Sequence, residues 1–144
     1  MKIFLDFDGT VVEHAFPKMG RVNFGCFEVI KKLQDAGHSI ILNTYRADIG
    51  EKELESAIFV INNAFRFLKI RGDREFKIEL SEVLQNKIHP PRFDMDDFIK
   101  NKEIFIDDMS YGVPLKPCVM ERGVMVDWDV LDEIFKQYGL YEAV

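Results

Sequence analysis

Residues 1–14 read MKIFLDFDGTVVEH, and this stretch decides the fold. An apolar run, KIFLDF, has the length and composition of a short buried strand. It ends by pushing out two carboxylates, Asp6 and Asp8, two residues apart, followed by Gly9 and Thr10. On an ideal strand, positions i and i+2 share a face. Two acids side by side in a low dielectric resist double ionisation. A strand tip built this way needs something to hold the charges together.

Two further apolar runs end in a comparable manner. HSIILNT, 38–44, closes on Thr44, and KEIFIDD, 102–108, closes on Asp107 and Asp108. Between them lie amphipathic helical stretches. CFEVIKKLQDAG places Phe27, Val29, Ile30 and Leu33 near helical spacing and stops at Gly37. EKELESAIFVINNAF groups Leu54, Ala57, Ile58 and Ile61 on one face behind an acid-rich first turn. DMDDFIKN reads as a short helix and VPLKPC as loop. DWDVLDEIFKQYG reads as a last helix with Asp127 or Asp129 at its start. Residues 66–87 admit a helix end and one or two strands, with one expected at 82–86.

Strands alternating with helices predict right-handed crossovers and a mostly parallel sheet. The expected fold is a three-layer α/β/α, Rossmann-like domain spanning 1–144, with a short flap at about 11–24 marked by Pro17 and Gly20. In such sheets ligands bind outside the carboxyl ends of the strands. The tips DFDGT, NTYR and DD are therefore expected to converge.

The remaining composition narrows the function classes. The 144 residues carry a net charge of −6, which provides no general footprint for nucleic acid. An anionic substrate must be drawn by a local site or a metal. The two cysteines, Cys26 and Cys118, form neither a CxxC nor a disulfide framework, and are expected as reduced thiols in a cytoplasmic protein. The opening stretch has one Lys and a short apolar run broken by acids, so no signal peptide is expected. No run reaches the roughly 18 apolar residues of a membrane span.

Four carboxylates at one sheet edge are costly without a cation. Mg²⁺ suits them, because it takes a few carboxylates together with water and substrate phosphate. One acid can then attack phosphorus, while the second delivers a proton to the leaving oxygen and later activates water. Thr44 offers a hydroxyl and a backbone N–H to phosphate oxygens. For the balancing cation the sequence offers Lys87, after the expected strand at 82–86, and Arg46, two residues after Thr44. Lys100 and Lys102 precede Asp107 by seven and five residues, which puts them at the opposite end of the strand.

These residues resemble the haloacid dehalogenase-like (HAD) superfamily. DFDGT resembles its first motif, IILNT its second and IFIDD its acidic fourth motif, in order over about residues 2–110. The resemblance implies a Mg²⁺-dependent phosphohydrolase working through an aspartyl-phosphate. Asp6 would be the nucleophile and Asp8 the general acid and base. Asp6, Asp107 and the backbone carbonyl of Asp8 would hold Mg²⁺, with Asp108 assisting through water. Thr44 would bind the transferring phosphoryl group, and Lys87 would fill the place of the third motif's cation. The intervals between motifs are too short for a large cap, so a capless member is expected.

The expected substrate is a phosphomonoester, a small molecule ahead of nucleic acid. A nucleotide or nucleic-acid-end phosphatase is the alternative, motivated by the basic cluster Lys69, Arg71, Arg74 and Lys77. A non-catalytic binding module on the same scaffold is the other alternative. His14 in the flap could touch substrate, with a surface histidine the plainer expectation, and Trp128 is expected as a core or helix-packing residue.

Overall fold

A computed structural model describes residues 1–67, 79–80 and 91–142. Among the described residues, four parallel strands form one sheet in the order β3-β2-β1-β4. They are β1 (Lys2–Leu5), β2 (Ser39–Leu42), β3 (Glu79–Leu80) and β4 (Glu103–Ile106). The helices are α1 (Cys26–Asp35), α2 (Arg46–Ile49), α3 (Glu51–Phe67), α4 (Met95–Asn101) and α5 (Trp128–Gln137). The chain is thus mixed α/β.

β1 sits at the centre because it is apolar on both faces: Ile3, Phe4 and Leu5 are all buried. Its register aligns Leu5 with Leu42 on one side and with Ile106 on the other. Phe4 stacks on its partner Phe105, with ring centroids 4.5 Å apart. The ladder runs on past the strand ends. The N–H of Asp6 donates to the Ile106 carbonyl at 3.0 Å, and that of Asn43 to the Leu5 carbonyl at 2.7 Å. All three tips are therefore level.

α1 packs on β2 and meets α5, while α4 packs on β4. The expected apolar faces are the buried ones: Phe27, Val29, Ile30 and Leu33 on α1, and Ala57 and Ile61 on α3, with Leu54 and Ile58 partly covered. Asp127 is the residue that starts α5, accepting from the N–H groups of Asp129 and Val130. Trp128 is fully buried and does more than pack. Its indole N–H donates to the Thr10 carbonyl at 2.8 Å, and Asn23 Nδ2 donates to the same oxygen at 3.0 Å.

One reading needs revision. VPLKPC is not loop throughout: β5 (Leu115–Pro117) pairs antiparallel with β6 (Val124–Val126) in a separate two-stranded sheet. The NTYR tip runs straight on into the short helix α2, which Arg46 opens. β3 falls within the interval 66–87. The strand expected at 82–86, the candidate cation Lys87 and the basic cluster of Lys69, Arg71, Arg74 and Lys77 lie outside the described residues.

The flap expected at 11–24 closes on itself through an antiparallel bridge between Val12 and Val22. The Glu13 N–H donates to the Arg21 carbonyl, and that of Asn23 to Val11, both at 2.8 Å. Gly20 is required here: a Cβ would lie 1.9 Å from the Glu13 carbonyl oxygen. The buried Glu13 carboxylate accepts from the backbone N–H groups of Val119 and Met120, so the flap is strapped to the β5–β6 connection.

Candidate active site

The three tips meet in a cleft of about 290 Å³ lined by Asp6, Asp8, His14, Phe16, Thr44, Tyr45, Arg46, Asp107, Asp108 and Met109. The chain runs from β1 to β2 and β3 on one side, then returns to place β4 on the other side of β1. Between β1 and β4 the strand order reverses, and this is where open parallel sheets leave a crevice. Asp6 follows β1 and Asp107 follows β4, so the geometry comes directly from the topology.

Thr10 organises the acids. Its hydroxyl donates to Asp6 Oδ2 at 3.2 Å and accepts from the Asp108 N–H at 3.3 Å. Its carbonyl is held by Trp128 and Asn23, as described above. One residue thus fixes the β1 loop to the β4 loop, with α5 bracing it from behind. Asp107 is buried, and its Oδ1 accepts from the Met109 N–H at 2.9 Å.

Carboxylate oxygens of Asp6, Asp107 and Asp108 lie within 4.8 Å of one another. The crowding has an electrostatic consequence. Burial, then the charge and hydrogen bond of Asp6, then those of Asp107, push Asp108 up to about 8. A trio that retains a proton at neutral pH is a donor set suited to a hard divalent cation, which would replace that proton. All three donors are oxygens, as Mg²⁺ prefers.

Gly9 makes this arrangement possible. Its φ is +80°, and a Cβ there would fall 2.3 Å from Asp108 Oδ2. Gly9→Ala should keep the fold at a cost of about 1–2 kcal/mol for the left-handed backbone. It should also displace the Asp108 carboxylate. Thermal unfolding and a Mg²⁺ titration read the two effects separately; an unchanged Mg²⁺ affinity would count against this role.

Thr44 is buried, and its Oγ1 accepts from the Arg46 N–H at 3.2 Å. That bond does not use the hydroxyl's own proton, which is left to donate. Arg46 reaches the cleft but faces the protein. Its Nε donates to Asp8 Oδ2 at 2.8 Å and its Nη2 to Asp8 Oδ1 at 2.9 Å. The Asp8 side chain, expected as the general acid and base, is held in a two-pronged ion pair, and Arg46 is not turned towards a substrate. Lys102 sits at the far end of β4, as its spacing requires: the Lys2 N–H donates to its carbonyl.

Sequence reading left the wall residues Tyr45, Met109 and Phe16 unassigned and offered His14 only as a candidate substrate contact. Tyr45 and Met109 each follow a motif residue directly, and adjacency was the available signal. Phe16 and His14 come from the flap, whose course over the cleft is set by the Val12–Val22 bridge. The Asp8–Arg46 pair joins two residues already singled out, but for separate duties.

No protein-family model matches the chain, and no curated protein matches it. The chain is similar to a solved structure, that of a conserved protein from Bacteroides thetaiotaomicron, with 26% identity and a TM-score of 0.56. The similarity covers 96% of this chain and 91% of that one. Among the described residues no helix is long and apolar enough to cross a membrane.

Proposed function

We propose that this chain is a Mg²⁺-dependent phosphohydrolase of the HAD type, acting on a phosphomonoester through an aspartyl-phosphate. The observation that carries the reading is the meeting of Asp6, Asp8, Thr44, Asp107 and Asp108 in one cleft at the carboxyl edge of a parallel sheet. The strand order supports a Rossmann-like, three-layer arrangement as a single capless domain. The two free cysteines suit a cytoplasmic setting.

Asp6, Asp107 and Asp108 would hold the ion, together with the Asp8 backbone carbonyl that the HAD resemblance implies. When bound, Mg²⁺ supplies charge screening between carboxylate and phosphate and polarises phosphoryl oxygens. The chain's own residues do the rest. Asp6 attacks phosphorus in line, forming a P–O bond to its carboxylate as the ester P–O bond breaks. Asp8, carrying the proton it takes from water in the second half of the preceding turnover while its other oxygen still accepts from Arg46, gives that proton to the departing alkoxide. In the second half, Asp8 takes a proton from water as that oxygen attacks phosphorus, and Asp6 leaves as carboxylate with release of inorganic phosphate. Thr44 donates its hydroxyl proton to a phosphoryl oxygen. Positioning and charge stabilisation supply most of the barrier reduction.

A nucleotide substrate is favoured as the second reading by the cleft mouth. Tyr45 is 63% exposed there and Met109 75%, beside Phe16. Exposed aromatic and thioether surface beside a phosphate site can hold a flat base.

The test is phosphate release from a panel of phosphomonoesters that includes nucleoside monophosphates. Mg²⁺-dependent release suppressed by EDTA is expected. If no ester is turned over with Mg²⁺ present, the hydrolase reading falls and a binding module remains.

A further inference from the structure

Arg46, offered by its place two residues after Thr44 as a balancing cation, is only 2% exposed. Its contacts join three separate parts of the chain. It makes the two-pronged pair with Asp8 on the loop after β1. Its Nη2 also donates to the Lys18 carbonyl in the flap at 3.1 Å. Its guanidinium carbon lies 5.3 Å from the ring centroid of Phe7 and 5.0 Å from that of Phe16, the latter again in the flap. Phe16 and His14, from the same flap, line the cleft.

We propose that Arg46 is a positioning residue, a joint that ties the Asp8 carboxylate to the flap so that Asp8 is aimed at the leaving oxygen only while the flap is seated. This rests on the hydrolase reading for what Asp8 does, but not for the joint itself. The chemistry of the joint requires arginine. A planar fork can bind both oxygens of a carboxylate, donate to a carbonyl from one of the same nitrogens and stack against rings. A lysine ammonium keeps the charge but has neither the fork nor the flat face. Arg46→Lys therefore separates a joint from a simple counter-charge.

The joint predicts coupled losses. The flap carries Lys18 and Arg21, both exposed and both cleavable by trypsin. In Arg46→Lys and Arg46→Gln, cutting after these residues should speed up at least about tenfold, provided cleavage follows the population of the opened flap. Cutting after Lys31 and Lys32, inside α1, reports global unfolding and serves as the internal reference. Phe16→Ala loosens the flap without removing the Asp8 pair. It should show the same selective cutting even if the Arg46 variants fold poorly.

Turnover supplies the second readout. An alkyl phosphate needs its leaving oxygen protonated, whereas p-nitrophenolate departs unaided. With all three variants, kcat/KM, which ends at departure of the leaving group and excludes the shared hydrolysis of the aspartyl-phosphate, should fall at least about tenfold more on the alkyl ester than on p-nitrophenyl phosphate, and Arg46→Lys should not rescue it. Unchanged flap cutting relative to α1, or full rescue by lysine, overturns the proposal. Equal losses on both esters also overturn it, because a merely structural pair would act that way. If the wild-type protein hydrolyses neither ester, the hydrolase reading fails, and the flap cutting alone still decides the joint.

Discussion

Asp6→Asn should abolish phosphate release while leaving the protein folded. The expected loss in kcat is at least about a thousandfold, since removing a nucleophile costs more than removing one supporting group. The substitution is nearly isosteric. It retains an oxygen that can accept from the Thr10 hydroxyl at the position of Oδ2, so the β1 loop keeps its link to the Asp108 backbone. It removes the charge that would attack phosphorus and one of three carboxylates in the cluster. Thermal unfolding checks that the fold survives, and steady-state phosphate release reads the chemistry. Turnover near the wild-type rate would remove Asp6 from the nucleophile's role.

Mg²⁺ binding should be tied to proton release, and the sign follows from Asp108. Its carboxyl is raised to about 8 by burial and by Asp6 and Asp107. In the unfolded chain an aspartate titrates near 3.9. Between those two values the folded, metal-free protein holds a proton that the unfolded chain does not. Its stability should therefore fall as pH rises through that window. Mg²⁺ competes with the same proton, so its apparent affinity should rise with pH by up to about tenfold per unit and level off above about 8. Calorimetry in two buffers of different ionisation heat should find close to one proton released per ion at pH 7. Asp108→Asn should flatten both dependences. A pH-independent Mg²⁺ affinity in the wild-type protein would contradict this account.

Much of the fold was legible because its central strands are apolar on both faces and its helices keep an apolar stripe. KIFL, SIIL and EIFI lie within the expected strands, and Ala57 and Ile61 sit on the buried side of α3 as spacing requires. The acids were legible for a different reason: each follows an apolar run directly, and parallel strands carry those ends to one edge. The β5–β6 pair was not legible. LKP is only three residues long and ends in proline, and its connection lacks an Asn-Gly or Asp-Gly turn signal. The partner of Asp8 was missed because spacing places residues at an edge without saying which way they face. Arg46 turns inwards since Phe7 and Phe16 offer its guanidinium two ring faces and Asp8 two oxygens.

Trp128 is the single tryptophan of the chain. Its indole sits fully buried with its N–H on the carbonyl of the residue whose hydroxyl holds Asp6. The protein thus contains its own fluorophore, wired to the loop where the chemistry is proposed. Ultraviolet emission excited at that one indole should report the state of the loop after β1 without any label. Events at the cleft can be followed in real time in the unmodified chain.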